Sequence, residues 1–139
     1  MDLYAGIGGL GIEALARGAS RADFVEVDPR RCRTIQEALR RKALDGRARV
    51  YRARVERALS SLPGRYGLVF IDPPYDLDPW DSLMESLEAG DLLQAGATVI
   101  AEHFHKSDMA PHYGGLIRQT ARRYGDTAIS IYKTAEAAG

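Results

Sequence analysis

Asp2-Leu3-Tyr4-Ala5-Gly6-Ile7-Gly8-Gly9-Leu10-Gly11 is a short apolar run that ends in a loop with glycines at 6, 8 and 11. A helix-forming run, Ile12 to Arg17, follows at once. Glycine has no Cβ, so it adopts positive φ in a tight turn and lets a ligand approach the backbone. Between a strand and a helix, the spacing G-x-G-x-x-G is that of a nucleotide-binding loop. Glu26 stands 20 residues after Gly6, at the end of the apolar run Phe24-Val25. A carboxylate in that place accepts hydrogen bonds from both hydroxyls of a ribose.

Outward from this stretch the chain keeps alternating strand and helix. Met1 to Tyr4 reads as the tail of a first strand, and Gly9 to Arg17 as a helix with Gly18 as its C′ residue. Ala22 to Val27 is a buried strand. Arg30 to Asp45 is a helix with Cys32, Ile35 and Leu39 on one stripe, ended near Gly46. Ala48 to Ala53 is a third strand, Val55 to Leu62 a short helix closed by Pro63-Gly64, and Tyr66 to Ile71 an apolar fourth strand. Trp80, Leu83 and Leu87 stripe a helix from about Pro79 to Ala89, and Ala97 to Glu102 is a fifth strand. Leu116 to Tyr124 and Thr127 to Lys133 form a β-hairpin around Gly125-Asp126. Residues 135–139 are expected to fray. The alternation predicts an α/β fold: a doubly wound, mostly parallel Rossmann-like sheet with helices on both faces and a C-terminal antiparallel hairpin. Residues 1–139 are expected to form a single domain, long enough to bury a core.

In such a sheet, ligands bind outside the carboxyl ends of the strands. The loops after strands one, two and four carry Gly6 to Gly11, Glu26, and Asp72-Pro73-Pro74-Tyr75. These three segments are expected to converge on one crevice. Asp72 leaves the fourth strand where pairing must stop. Pro73 and Pro74 fix φ and donate no backbone N–H, so the segment is stiff and the Pro73 carbonyl is left to accept. Tyr75 offers a flat face for a planar base. Two acceptors beside a stacking ring suit a planar amine with two N–H bonds. A rigid strand-to-helix turn is the structural alternative.

Composition narrows the classes. Hydrophobic residues make up 45% and charged residues 27%, as in ordinary globular proteins. No apolar run approaches a membrane span, and the N-terminus does not read as a signal peptide. The one cysteine, Cys32, excludes an internal disulfide framework and fits a reducing, cytoplasmic setting. Net charge is zero but unevenly spread. From Arg17 to Arg65 there are 14 Lys or Arg against 6 Asp or Glu, and from Tyr66 to His105 there are none against 8. Solvated helix faces account for such counts; with the motifs, they suggest a basic face for an anionic polymer beside an acidic site.

Asp2-Leu3-Tyr4-Ala5-Gly6 together with Asp72-Pro73-Pro74-Tyr75 resembles the class I, S-adenosyl-L-methionine-dependent methyltransferases that act on exocyclic amines. The run Gly8 to Ala19, followed by Phe24-Val25-Glu26, resembles the RsmD family, whose members methylate N2 of a guanine in small-subunit (16S) ribosomal RNA. The likeness covers nearly the whole chain and loosens after about residue 103. It implies a cofactor site of Asp2, Tyr4, Gly6, Gly8, Gly11, Glu26, Val27, Arg54, Val55 and Asp72. Asp2 and the glycine loop would hold the methionine part, and Glu26 the ribose. Asp72 and the Pro73 carbonyl would orient the amine, and Tyr75 would stack on the flipped base. Where related enzymes often carry Asp or Asn beside the adenine, this chain has Arg54, which leaves the Val55 backbone to serve there. Members usually carry a hairpin and helix before the first strand, and this chain is expected to be short of them. The partner implied is ribosomal RNA or the small-subunit particle, bound by a monomer with no metal and no membrane.

Three other readings stay open. Another amino-methyltransferase of DNA or RNA, such as an adenine-N6 enzyme, is the first. A non-catalytic cofactor-binding fragment fits the short N-terminus. An NAD-dependent dehydrogenase shares the glycine loop and the acid, but Asp72 to Tyr75 argues against it. His103 and His105, at i and i+2, share one side of an extended segment but lack a ligand cluster around them. Cys32 reads as a core residue. Trp80 reads as an anchor of its helix or a rim of the substrate pocket.

Overall fold

A computed structural model describes residues 1–136; residues 137–139 of the expected frayed end lie outside the described residues. The chain divides into two compact units, Met1–Ser60 and Ser61–Gly139. Among the described residues no helix is long and apolar enough to cross a membrane.

The first unit contains β1 (Asp2–Leu3), α1 (Gly9–Ala16), β2 (Ala22–Glu26), α2 (Pro29–Arg41), β3 (Ala48–Arg52) and α3 (Val55–Ala58). β2 pairs in parallel with β1 and with β3, as strands joined by helices must. All five residues of β2 are buried, and Ile12, Leu15, Phe24, Ile35, Leu39 and Leu44 form one core cluster. α1 ends as its sequence predicts. Gly18, at φ 110°, donates to the Leu15 carbonyl, and Ala19 donates to Ala14.

α2 stops four residues before the expected end. Ala43 takes the left-handed conformation, φ 55°, that glycine usually supplies. Its N–H bonds the Arg40 carbonyl, and the Leu44 N–H bonds that of Leu39. Leu44 and Leu39 are both buried in the core cluster. Their hydrophobic closure offsets the cost of about 1–2 kcal/mol for a non-glycine residue in that conformation. Asp45–Arg47 then forms a short 3-10 turn. α3 is a single turn rather than a helix to Leu62. Ser60 Oγ donates to the Arg57 carbonyl, a local bond that competes with helix continuation.

The second unit contains β4 (Tyr66–Ile71), α4 (Trp80–Ala89), β5 (Leu93–Phe104), β6 (His112–Tyr113), β7 (Leu116–Tyr124) and β8 (Thr127–Lys133). β4 and β5 are parallel; β5 and β8, β7 and β8, and β6 and β7 are antiparallel. The chain is thus a mixed α/β fold with a C-terminal antiparallel portion. β5 is longer than expected because it runs through Gly96, at φ 73°, where the β4–β5 register shifts. β6 covers only Leu116 and Ile117 of β7.

Period-2 alternation gives the β5–β8 layer two different faces. Val99, Ala101 and His103 of β5 and Ala128, Ser130 and Tyr132 of β8 are buried. α4 lies on that side, since Trp80 meets His103 edge-on at 5.7 Å and Asp81 accepts a 2.9 Å bond from Tyr113, whose ring packs 5.8 Å from Tyr132. On the other face Ile100, Glu102, Phe104, Thr127, Ile129 and Ile131 are only half-buried.

Candidate active site

In the first unit, the ends of three parallel strands bring most of the expected cofactor residues together. Glu26 ends β2 and is buried. Its Oε1 accepts the Gly6 N–H at 2.8 Å, and its Oε2 accepts the Asp28 N–H at 2.8 Å. Its carbonyl accepts the Ala53 N–H at 3.1 Å and the Cys32 thiol at 3.3 Å. One carboxylate therefore ties the glycine loop to the turn after β2. A carboxylate offers about four lone-pair sites, so two remain to accept from a diol. Asp28 caps α2 by accepting from the N–H groups of Arg30 and Arg31, which holds its carboxyl below its usual range. Val27, between them, is exposed.

Asp2 is buried at the other end of the glycine loop, and its Oδ2 accepts the Gly11 N–H at 3.1 Å. Burial pushes its carboxyl up to about 6, against the pull of that N–H, and the charge of Glu26 adds to the push. Gly11 packs so close to the ring of Phe24 that a Cβ would collide with it, which seats α1 on β2. Gly8 is the N-cap of α1 at φ 82°. Gly6, at φ 62°, has open space where its Cβ would stand, so its backbone faces an unobstructed volume.

Tyr4 adopts φ 59°, unusual for a side chain of this size. Its Oη is buried and has no hydrogen-bond partner among the described residues. Burial, and then the charge of Glu56, push the phenol up to about 12, so it remains a donor. An orphaned donor, a half-used carboxylate and a bare glycine backbone are what a polar ligand would complete. Arg54 caps α3 with its backbone carbonyl, which accepts from Arg57 and Ala58, and its side chain is exposed; Val55 is buried.

The second unit holds the other motif. β4 ends at Ile71; Asp72 is exposed, Pro73 buried and Tyr75 64% exposed. Tyr75 meets Phe104 edge-on at 6.0 Å, and its hydroxyl bonds Thr127. Pro73, Pro74, Tyr75, Leu77, Trp80 and His103 line an open cavity with Phe104 and Ser107. Trp80 is therefore both a buried helix anchor and a wall of this cavity. His103 is fixed between the Phe104 carbonyl and the Ser130 hydroxyl, at 2.9 and 2.8 Å, and His105 packs on Phe104. Thr127 and Phe104 were not among the site residues expected from the sequence. Tyr75 and Thr127 lie 52 positions apart, beyond the reach of any local motif.

The Bacillus subtilis protein named "Putative rRNA methyltransferase YlbH" is 35% identical over 136 residues, 96% of this chain and 74% of its own. Ribosomal RNA small subunit methyltransferase D of Escherichia coli is 30% identical over 105 residues, 73% of this chain and 51% of the relative. This chain's match thus spans about half of that enzyme. Among solved structures, a conserved hypothetical protein of Streptococcus pyogenes superposes with a TM-score of 0.90 at 32% identity, over 96% of this chain and 83% of that one. An RNA methyltransferase of Salinibacter ruber, solved with S-adenosyl-L-homocysteine, shares the fold at a TM-score of 0.67 and 16% identity, over 99% of this chain and 81% of its own. The family described as "Conserved hypothetical protein 95" matches residues 1–133, and this chain belongs to it.

Proposed function

We propose that the chain is an S-adenosylmethionine-dependent ribosomal RNA methyltransferase, and that it methylates N2 of a guanine in small-subunit RNA. The observation that carries the reading is the exit of β4 into exposed Asp72, buried Pro73 and exposed Tyr75, in a chain whose Glu26 is already braced to receive a diol. The names of the Bacillus and Escherichia relatives support RNA as the substrate, and the ligand of the Salinibacter structure supports the cofactor.

Glu26 would accept from the ribose hydroxyls, Asp2 would face the cofactor's ammonium, and Tyr4 Oη would donate to its polar edge. When bound, the cofactor supplies a methyl carbon activated by its sulfonium sulfur. Asp72 and the Pro73 carbonyl would accept the two N–H bonds of guanine N2. This aims the nitrogen's lone pair and favours the tetrahedral amine that develops. A carboxylate only accepts, so Asp72 acts as acceptor and orienter, and the methylated nitrogen, strongly acidic once alkylated, sheds its extra proton without a strong base. Tyr75 would hold the base by stacking. We read the two units as one working methyltransferase domain, because the transfer needs both sets of residues.

Two measurements test this. Calorimetry is expected to show S-adenosylhomocysteine binding more tightly than NAD; the reverse order would remove the methyltransferase reading. Nucleoside digestion of RNA methylated by the chain is expected to yield N2-methylguanosine. N6-methyladenosine instead would move the substrate to adenine.

The raised carboxyl of Asp2 predicts a pH dependence. The folded chain holds that proton where the unfolded chain has lost it. Its contribution to stability is full below the ordinary 3.8 and is lost as pH rises through about 6. A cationic ligand needs the charged form, so affinity for S-adenosylhomocysteine should fall below about 6, approaching tenfold per pH unit. Calorimetry across this range checks it. Affinity unchanged through the range would show that Asp2 does not face the ammonium.

A further inference from the structure

We propose that the tip of the β7–β8 hairpin, with the end of β5, forms an RNA-binding rim continuous with Tyr75, on which nucleotides flanking the target stack. The inference rests on RNA being the substrate, as proposed above. The strand register carries it. Phe104 pairs with Thr127 across β5 and β8, and Thr127 pairs with Tyr124 across β8 and β7. One row across three strands thus holds two aromatic rings with Thr127 between them. Directly paired residues share a face of a sheet, so Phe104, Thr127 and Tyr124 stand on the same side. Two positions along, Glu102, Ile129 and Arg122 form the next row on that face.

Tyr75 is joined to this row twice, by its hydroxyl to Thr127 and by its ring to Phe104. His105 extends the aromatic line, packing on Phe104 at 4.7 Å. The line runs from the residue proposed to hold the target base to a ring, Tyr124, that is 58% exposed. Exposed aromatic faces accept any base, and a cation among them tracks the phosphates. The charge favours RNA. Between Lys106 and Lys133 there are five Lys or Arg against two Asp or Glu, in a unit whose residues 66–105 carry none. Arg122 is exposed and engages no carboxylate in the ion pairs among the described residues. Arg123, on the opposite face, donates to the Gly125 carbonyl at 2.7 Å and holds the turn. Glu102 lies in the Arg122 row two strands away, Asp126 at the hairpin turn, and Asp76 next to Tyr75 at the other end of the line, and none of them adjoins Arg122 along its strand.

The test is binding of a fluorescein-labelled single-stranded RNA, and of small-subunit particles, to the full chain at several salt concentrations. Tyr124→Ala should weaken RNA binding roughly five- to a hundredfold at every salt concentration without changing the salt slope. Tyr124→Phe, which keeps the ring, should restore it. Arg122→Ala should lower the slope of log affinity against log salt by about one. Affinity for S-adenosylhomocysteine should be unchanged in all three, which also reports that they fold. If the wild-type chain binds RNA and the Ala variants match it in affinity and slope, the rim is wrong while the substrate reading stands. If the wild-type chain binds neither RNA nor particles, the substrate reading falls and the rim with it. If sedimentation shows a dimer that Tyr124→Ala dissociates while RNA binding is unaltered, the face seats a second copy and the proposal is overturned.

Discussion

Asp72→Asn is expected to slow single-turnover methylation on the order of a hundred- to a thousandfold, the effect of losing one electrostatic contact worth ~3–4 kcal/mol in the transition state. The amine gains positive charge as the methyl arrives, and the carboxylate stabilises that charge. The amide is nearly isosteric but neutral, and one of its ends donates where an acceptor is needed. Asp72 is exposed at the exit of β4, outside the buried core, so the fold should survive. The measurement is one turnover at saturating enzyme on ribosomal RNA, with cofactor affinity followed separately. A variant that keeps most of the wild-type rate would make the Asp72 to Tyr75 segment a structural turn and would move the catalytic centre elsewhere.

Glu26→Ala should have two effects, and the structure separates them. Removing the acceptors of the ribose hydroxyls should weaken S-adenosylhomocysteine binding by about 1.5–3 kcal/mol, or roughly ten- to 150-fold. Truncation also strips the acceptors from the Gly6 and Asp28 N–H groups. Each such group shielded from water costs about 1–3 kcal/mol, so the free chain should unfold at lower denaturant as well. Glu26→Gln, which keeps one carbonyl oxygen, should fall between. Calorimetry and denaturant unfolding on the same samples read the two effects. A loss of stability with cofactor affinity intact would make Glu26 a brace of the glycine loop and nothing more.

What could be read in advance depended on how local the determining contacts are. β4 and the hairpin strands β7 and β8 were read to the residue, because apolar alternation and the Gly125-Asp126 turn lie within the segments themselves. The C-terminal end of α2 departs from the sequence pattern because its stop is Ala43. The left-handed turn there depends on Leu44 reaching a core that no local pattern reveals. The pattern marks β5 only from Ala97, since a glycine inside a strand looks like a boundary until its partners are known. β6 is two residues long and has no period to detect. In the site, the spacing from Gly6 to Glu26 foretold that the two belong together. Their direct bond, and the second bond to Asp28, come from the fold. Thr127 and Phe104 reach Tyr75 only through strand pairing across the second unit.

β7 has one further consequence, for how the molecule keeps to itself. β6 leaves it after Ile117, and from Gln119 to Tyr124 no further strand among the described residues caps its outer edge. Free strand edges template pairing with other chains, and a run of apolar residues there would invite fibrous association. This one carries Arg122 and Arg123 side by side near its end, with Arg118 upstream. Two copies meeting edge to edge would bring these cations together in a low-dielectric contact, and the repulsion would oppose register. The same arginines therefore guard the chain against its own kind in concentrated solution.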